Sequence, residues 1–443
     1  MLETLIETSR TWALLRNLRV EVHLSPEKLR LLQDRLLRSL VAHTYENVPF
    51  YRRFWDEAGF DPRRFRGIED LERIPVTNST LIREAARTGE LLAKGVDTDE
   101  CTYLDSSGSS GNPLRIWKRP IEERVRRAVG LRIWFEHGFS WSHITAQFQI
   151  LPGPSHILQR LGISRKLWIS TALPIDEQLS QFLDSRADVL IGTPTALRRI
   201  AYAVEDSGKK PKQPGIVFAA GELLDSETSE VVKRVFGIEP VGLYGQTEVG
   251  YVAWQCEMRR PFHLNADTHM VEVLADGRPA GPGELGTIVI TDLYAGTMPF
   301  IRYDTKDLAT AASSNCPCGR QLPIIASIEG RASGSIFLKD GRMFTTRYIV
   351  NHMAETVRLG RYRIYQDKID RFRVELVSNS GDGKSIEEKV ADQNLEEAVS
   401  RRLRGIIGDV EISFRRVSPW EADGSGKTHT VFSSVHIPGL SAD

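Results

Sequence analysis

Between residues 144 and 250, short apolar segments alternate with helix-like segments, and this alternation limits the fold more than any other feature. The apolar segments are TAQFQILPG, ADVLIGTP, PGIVFAAGE and PVGLYGQTE, and the helix-like segments include PTALRRIAYAVEDSG and DSETSEVVKRVFG. The last of these starts at Asp/Ser and stops at glycine, as helices commonly do. Strands that alternate with helices are typical of a parallel sheet, so we predict an α/β fold.

The rest of the chain departs from this alternation and indicates a second, smaller domain. Residues 25–45 have a Ser-Pro start and leucines three and four apart, which predicts an amphipathic helix. Residues 270–312 are purely β-like. After a composition break at 326–333, three strand-like segments and one long helical segment predict an α+β unit. We therefore predict a large N-terminal multi-sheet α/β domain over residues 1–330 and a small mobile α+β C-terminal domain over residues 331–443, with the active site between them.

Composition excludes several classes of partner. The chain has 443 residues, with 58 Lys+Arg and 58 Asp+Glu, so its net charge is zero. A nucleic acid or an anionic membrane requires a concentrated basic surface, so we expect neither as a partner. No apolar run approaches the roughly 20 residues that span a bilayer, and the N-terminal segment MLETLIETSRTW lacks a basic signal region. Four cysteines are too few for a disulfide scaffold, so we expect a reducing, cytoplasmic location.

A Ser/Gly-rich segment is the strongest local motif for chemistry. It reads Asp105-Ser106-Ser107-Gly108-Ser109-Ser110-Gly111-Asn112-Pro113 and lies between the strand-like segments CTYLD and LRIWKRP. Glycines let the backbone approach an anion, and hydroxyl and N–H groups can surround phosphate oxygens. The lack of a closing Gly-Lys-Ser/Thr excludes a Walker loop. A flexible linker is the alternative interpretation of such a segment.

Three further motifs carry groups that suit a nucleotide. In LYGQTEVG, residues 243–250, the aromatic can stack on a base, the hydroxyl can reach a phosphate and the glutamate can hold Mg²⁺, with an ordinary turn as the alternative. In IRYDTKD, residues 301–307, an aspartate can accept two hydrogen bonds from vicinal ribose hydroxyls. Lys427 lies in a Gly/Ser-rich tail, where most lysines are exposed and have no catalytic role.

In this order, the motifs resemble those of the adenylate-forming superfamily, and more narrowly those of the phenylacetate-CoA ligase branch. The branch is indicated by VPFYRRFWDEAGFDP, GIEDLERIPVT, SSGSSGNP, FAAGE, YGQTE, MPFIRYDTKDLA and CPCGR, and the resemblance covers nearly the whole chain. It implies the adenylate-forming enzyme fold and an AMP-forming acid–thiol ligase. In such an enzyme, Mg·ATP and a small carboxylic acid, here expected to be aromatic, give acyl-AMP and pyrophosphate, and the acyl group then passes to CoA.

The resemblance also implies roles for individual residues. The ATP phosphates would be held by Ser106, Ser107, Gly108, Ser109, Ser110 and Gly111. The adenosine would be bound by Gly221, Glu222, Tyr244, Gly245, Asp307 and Arg331. Thr247 would touch the α-phosphate, Glu248 would bind Mg²⁺, and Lys427 would bridge the α-phosphate and the substrate carboxylate. A cation at that junction offsets the repulsion between two anions.

Several positions depart from the family pattern and keep alternatives open. Lys306 stands where the family has a glycine, Ser333 stands where it has a hinge acid, and only Gly341 fits the segment that lines the thiol tunnel. One alternative is transfer of the acyl group to a carrier-protein thiol or an amine instead of CoA. The other is a degenerate nucleotide-binding protein without turnover. The branch also suggests a homodimer.

Cysteine and histidine residues define a second candidate site. Cys256-x6-His263 and Cys316-x-Cys318 supply three sulfurs and one imidazole, a closed tetrahedral set for a structural zinc. The spacing alone leaves unrelated cysteines as an equal alternative, and the family resemblance favours zinc. For the acid pocket, the aromatic candidates are Trp134, Phe135, Phe148, Trp168 and Tyr251. Aromatic residues at such positions are more commonly part of the core.

Overall fold

The computed structural model describes residues 2–106, 114–151, 159, 163–259, 261–354, 356–357, 362–377, 386–417 and 430–435. The α-helices are α1 Leu2–Glu21, α2 Pro26–Asn47, α3 Pro49–Glu57, α4 Ser79–Arg87, α5 Pro120–Glu136, α6 Ile175–Ser185, α7 Pro194–Ser207, α8 Ser226–Phe236, α9 Thr346–Met353 and α10 Ile386–Ile407. None of the helices described has the length and apolar character that crossing a membrane requires.

The strands divide into one large set and three small ones. Up to Arg331 they are β1 Thr102–Asp105, β2 Arg115–Lys118, β3 Thr145–Gln149, β4 Lys166–Ser170, β5 Val189–Gly192, β6 Ile216–Ala220, β7 Val241–Gln246, β8 Gly250–Gln255, β9 Phe262–Leu264, β10 His269–Ala275, β11 Arg278–Pro279, β12 Leu285–Asp292, β13 Tyr303–Ala311 and β14 Ile324–Arg331. Beyond it they are β15 Ile336–Phe337, β16 Met343–Phe344, β17 Tyr362–Lys368, β18 Arg371–Val377, β19 Glu411–Val417 and β20 Val431–Ser433.

Helix α2 forms where the Ser-Pro start and the leucine spacing predict it. The Ser25 hydroxyl accepts a hydrogen bond from the backbone N–H of Lys28 at 3.4 Å, and Pro26 occupies the first turn, where a missing N–H costs nothing. Leu29, Leu37 and Leu40 are buried on one face. Burying each leucine contributes roughly 1.5–3 kcal/mol, so tertiary packing rather than helix propensity holds this helix in place.

A parallel sheet occupies the region of alternating strands and helices, as predicted. The sheet contains five neighbouring strands in the order β4, β3, β5, β6 and β7. Each hydrogen-bonded pair of adjacent strands is parallel. Helices α6, α7 and α8 connect or flank these strands. The carboxyl ends of parallel strands meet at one edge of a sheet, where ligands commonly bind. The segments that follow β6 and β7 therefore lie side by side.

Antiparallel strands extend this sheet and curl it. Twelve of the described strands form a single sheet in the order β11-β10-β12-β13-β14-β9-β8-β7-β6-β5-β3-β4. In that order β14, β9 and β8 stand between β13 and β7, yet Asp307 of β13 contacts Tyr244 of β7. Such a contact requires the sheet to curl on itself, as strongly twisted sheets do. The purely β character predicted for residues 270–312 is confirmed.

The C-terminal part has its own sheet and core. Strands β19, β18, β17 and β20 form a four-stranded sheet, with β17–β18 antiparallel and the outer pairs parallel. Three strands and the long helix α10 coincide with the α+β segments predicted here. The sequence alone does not predict β20, which lies in the tail that reads as a Gly/Ser loop. The composition break at 326–333 falls at the end of β14 rather than in an extended linker.

Candidate nucleotide site and cysteine–histidine cluster

Two of the predicted adenosine motifs lie at adjacent strand ends. Gly221 and Glu222 directly follow β6, and Tyr244 and Gly245 lie at the end of the neighbouring β7. A carboxylate oxygen of Glu222 accepts a hydrogen bond from the N–H of Thr195 in the first turn of α7, at 3.0 Å. The unpaired N–H groups of a helix N-terminus favour such an anion. The fold therefore fixes the Glu222 side chain at the edge predicted to hold adenine.

Gly245 is required by the tight β7–β8 hairpin. A Cβ atom at this position would overlap the carbonyl oxygen of Gly250, which is backbone and cannot move aside. The two strands pair here as Gly245 with Tyr251 and Gln246 with Gly250, after an irregularity in the register. This close approach holds Thr247 and Glu248 in the short turn that joins the strands.

Asp307 receives two hydrogen bonds from β7. Its Oδ2 atom accepts one from the Tyr244 hydroxyl at 2.9 Å and one from Gln246 Nε2 at 2.8 Å. Arg331 is its cross-strand partner on β14, with Nε 3.6 Å from Oδ1. Burial, followed by the charge of Asp307, raises the pKa of Tyr244 well above its usual value, so the hydroxyl stays protonated and donates. The structure thus brings together three of the predicted adenosine residues.

Tyr303 connects the Glu248 turn with Asp307. Burial raises the pKa of Tyr303, and the carboxylates of Glu248 and Asp307 add to the increase. Both carboxylates therefore lie close enough to the same phenol to affect its charge. The acid predicted to bind Mg²⁺ and the acid predicted to bind ribose consequently both lie near Tyr303.

The Ser/Gly motif is the loop of a β-hairpin. Strands β1 and β2 pair in antiparallel fashion from Thr102 opposite Lys118 to Asp105 opposite Arg115. Ser106 and Leu114 join the two ends of the segment. The Ser106 N–H donates to the Leu114 carbonyl, and the Ser106 hydroxyl accepts from the Leu114 N–H, both at 2.9 Å. Ser107, Gly108, Ser109, Ser110 and Gly111 lie outside the described residues, as does Lys427.

The C-terminal unit contacts the segment that follows Glu222. From α9, Arg347 Nη1 donates to the carbonyl oxygen of Leu224 at 3.2 Å. Asn351 Oδ1 accepts hydrogen bonds from the Ser226 N–H and hydroxyl, both at 3.1 Å. These contacts set α9 against the predicted adenine edge of the large sheet.

The aromatic candidates for an acid pocket do not form one cluster. Phe148 packs in a core with Phe182, separate from the core that contains Trp134. Trp134 stacks on Phe218 at 5.4 Å between ring centroids. Tyr251 lies against Gly130 of α5, where an added Cβ would be 3.7 Å from its ring. Phe135 and Trp168 pack with other aromatic or cationic side chains.

Gln246 is a site residue whose role the sequence does not predict. It lies inside the YGQTE motif, but its partner, Asp307, is 61 residues away. An amide side chain between an aromatic and a threonine has no local pattern that points to a carboxylate. Only the predicted convergence of the two motifs on one ribose could have suggested the contact.

Four predicted metal ligands come together at the β8–β9 end of the large sheet. The ligand atoms of Cys256, His263, Cys316 and Cys318 all lie within 4.8 Å of one another. Cys256 Sγ is 3.6 Å from Cys316 Sγ, and Cys318 Sγ is 3.4 Å from His263 Nε2. Tetrahedral zinc with ordinary bond lengths requires S···S of about 3.8 Å and S···N of about 3.6 Å. The spacing of these atoms therefore fits zinc.

The imidazole of the cluster is already in the form that binds metals, whereas the Cys256 thiol would need a bound cation to ionise. Burial lowers the pKa of His263 to about 4, so the imidazole is neutral at pH 7, the form that binds metals. Burial raises the pKa of Cys256 to about 12 in the absence of a cation. A bound divalent ion would supply the positive charge that stabilises the thiolates. Beside the cluster, the Arg320 guanidinium carbon lies 5.4 Å from the centroid of the Trp254 ring.

Comparison with known proteins gives relatives along most of the chain. No protein-family model matches it. The phenylacetate-coenzyme A ligase of Thermus thermophilus is 30% identical over 348 residues, which are 72% of this chain and 74% of the relative. The enzyme of the same name from Escherichia coli is 24% identical over 353 residues, covering 73% of this chain and 76% of the relative.

Solved structures share the fold. A 2-hydroxyisobutyryl-CoA ligase in the postadenylation state, in complex with 2-HIB-AMP, superposes with a TM-score of 0.78 at 19% identity, covering 93% of this chain and 91% of that one. An anthranilate CoA ligase in complex with anthranoyl-AMP gives a TM-score of 0.55 at 14% identity, covering 75% and 67%. Together with the sequence relatives, these likenesses show that the chain is an adenylate-forming enzyme and belongs to the phenylacetate-coenzyme A ligase family.

Proposed function

We propose that this enzyme joins ATP and a small carboxylic acid to form acyl-AMP and pyrophosphate, and then transfers the acyl group to CoA. The observation that carries the proposal is the convergence of Tyr244, Asp307 and the Glu248 turn at the carboxyl edge of the parallel strands. A carboxylate that can accept from ribose and a second one near it that can hold Mg²⁺ are the groups an adenylating site requires.

Each chemical requirement of the reaction has a candidate residue. Oδ1 of Asp307 accepts no hydrogen bond from the described residues and is available for a ribose hydroxyl. Thr247 lies beside Glu248 in the same turn, where it can donate to the α-phosphate while Glu248 holds Mg²⁺. The hairpin loop that follows Ser106 in sequence would surround the β- and γ-phosphates. Lys427 would neutralise the charge that develops where the two anions join.

The residue boundary near 331 divides the chain by function in this proposal. Residues 1–330 would bind ATP and the acid, and residues 331–443 would form a lid that brings Lys427 to the site. The contacts of Arg347 and Asn351 with Leu224 and Ser226 support a lid that can dock beside the adenine edge. Rotation of the lid would then expose acyl-AMP to the thiol.

The four-residue cluster is proposed to hold one structural zinc ion. Three thiolates and one imidazole fill a tetrahedral shell, so no position remains for a catalytic water. Zinc there would fasten the segment after β8, the short strand β9 and the loop before β14, because its ligands come from all three.

The acid is proposed to be small and aromatic, by analogy with the relatives named phenylacetate-coenzyme A ligase. The sequence specifies the acyl acceptor less well than the acid. The segment from Lys339 to Phe344 retains only Gly341 of the pattern that lines the family's thiol tunnel. A carrier-protein thiol is therefore the second candidate acceptor.

ATP–pyrophosphate exchange with a panel of aromatic and aliphatic acids tests the proposal. We expect exchange that depends on Mg²⁺ and is fastest with one aromatic acid. Addition of CoA to the preformed acyl-AMP should release AMP, whereas a carrier-protein acceptor would leave CoA without effect. Failure of every acid to support exchange, in protein that still binds ATP, would contradict the proposed reaction.

A further inference from the structure

Gln246 makes a contact that the proposed reaction does not yet use. Its side-chain amide donates to Oδ2 of Asp307 at 2.8 Å, and the Tyr244 hydroxyl donates to the same oxygen at 2.9 Å. Both distances are those of good hydrogen bonds to a charged acceptor. Asp307 is largely buried, with 13% of its side chain exposed, so water competes little with these two hydrogen bonds.

The two donors leave the carboxylate asymmetric. A carboxylate oxygen has two lone pairs in its plane, so Oδ2 is saturated by Tyr244 and Gln246. Within the described part of the chain, Oδ1 has Arg331 Nε at 3.6 Å, which is beyond a hydrogen bond, and no other donor. One oxygen is therefore held by β7, and the other remains available to a ligand.

A single donor would not give this result. One hydrogen bond to a terminal oxygen lets a carboxyl group turn about its last bond, because that torsion has a broad energy minimum. Two donors from one strand, at positions 244 and 246, fix the plane of the group. Positions two apart point to the same face of a strand, which explains how both side chains reach one atom.

We infer that Gln246 is a positioning residue: with Tyr244 it fixes Oδ2 of Asp307, so that Oδ1 is presented to the vicinal hydroxyls of the nucleotide ribose. This inference rests on the proposed function, since it takes ATP as the ligand of Asp307. It assigns to Gln246 no contact with the reacting atoms. Its effect should therefore depend on the ribose hydroxyls and not on the acid.

The test compares ATP with 2′,3′-dideoxy-ATP in Gln246→Met protein, which keeps the side-chain length and removes the donor. We expect KM for ATP to rise about tenfold with kcat nearly unchanged, the effect of losing one hydrogen bond to a charged group. For dideoxy-ATP, which lacks the hydroxyls, KM should stay the same in wild-type and variant proteins. Gln213→Met, at an exposed position, is the matched control and should change neither value.

Two outcomes would overturn the inference: equal increases in KM for both nucleotides, or no increase for either. If Gln246→Met does not fold, Tyr244→Phe removes the other donor to Oδ2 and should show the same dependence on the hydroxyls. Calorimetric binding of the two nucleotides separates this inference from the proposed reaction. If the protein binds ATP but forms no acyl-AMP, the proposed reaction is wrong, and the binding data still test the role of Gln246. If the protein binds neither nucleotide, both the reaction and the role of Gln246 are wrong.

Discussion

The cysteine–histidine cluster and the Asp307 site differ in how completely the folded chain encloses them. In the cluster, four ligand atoms lie within 4.8 Å of one another, and three of the four residues are buried. At the Asp307 site, Arg331 is 47% exposed, and no described residue donates a hydrogen bond to Oδ1 of Asp307. A closed shell can only hold an ion, whereas an open carboxylate can admit and release a ligand. The first region is therefore expected to control stability and the second to control turnover.

The largest expected effect is on stability, from Cys316→Ser. A serine hydroxyl is a poor zinc ligand, so zinc should fall from one per chain to near zero, and the free energy of unfolding should fall by about 4 kcal/mol or more, as for other metal losses. Metal analysis and denaturant unfolding measure both. Cys101→Ser, outside the cluster, is the control and should keep its zinc. Equal, near-zero zinc in wild-type and variant proteins would end the assignment.

The next effect is on catalysis, from Lys427→Ala. Removal of a preorganised cation should slow acyl-AMP formation about a hundredfold or more, equivalent to about 2.7 kcal/mol, with zinc content and unfolding unchanged. Single-turnover formation of acyl-AMP measures it. Lys209→Ala, an exposed lysine of the large sheet region, should leave the rate unaltered. A normal rate in the Lys427 variant would remove its proposed role.

A smaller effect should follow from Asp307→Asn. The amide keeps the shape of the side chain but loses the charge that would strengthen the proposed bonds to ribose, so KM for ATP should rise about tenfold. Asp304→Asn on the same strand is the control, because Asp304 pairs with Lys306 instead. Steady-state kinetics in ATP measures both variants. A matching increase in the control would mean that the strand, rather than the Asp307 carboxylate, is responsible.

The smallest effect concerns Lys306, where the family has glycine. Its φ is +61°, a conformation that strains any residue with a Cβ. Lys306→Gly should therefore relieve this strain and raise the free energy of unfolding by about 0.5–1 kcal/mol. This net gain already allows for the greater entropy of glycine in the unfolded chain and for the loss of the ion pair with Asp304. Lys339→Gly, in a turn without positive φ, should lower it instead. Denaturant unfolding that gives the same sign for both would show that strain at Lys306 is not the cause.

Local patterns were enough to predict the elements that carry the site. PGIVFAAGE and PVGLYGQTE become β6 and β7 because short apolar runs between helices fit a buried parallel sheet. The sequence predicts that the Ser/Gly segment lies between two strands, and the segment does join the paired strands β1 and β2. These features depend on residues that are close in sequence, and the spacing of apolar residues predicts them directly.

Contacts between distant segments could not be predicted in this way. The curl that brings Asp307 of β13 to Gln246 of β7 depends on the registers of β14, β9 and β8, and no local spacing encodes those registers. The same holds for the 60-residue separation between Cys256 and Cys316. Spacing left the cysteines undecided, and only the fold shows that their sulfur atoms are near one another. Helix α1 was not expected either, because its charged residues interrupt the apolar stripe.

The central claim is that one nucleotide unites the hairpin loop, the Glu248 turn, Asp307 and Lys427. A crystal structure of the protein with a non-hydrolysable ATP analogue tests it most directly, because acyl-AMP lacks the phosphates assigned to the hairpin loop. We predict that the ribose hydroxyls lie within hydrogen-bond distance of Asp307 Oδ1, that the hairpin loop contacts the β- and γ-phosphate groups and that Lys427 contacts the α-phosphate group. An analogue bound elsewhere, or bound at Asp307 with the hairpin loop and Lys427 far from it, would contradict the claim.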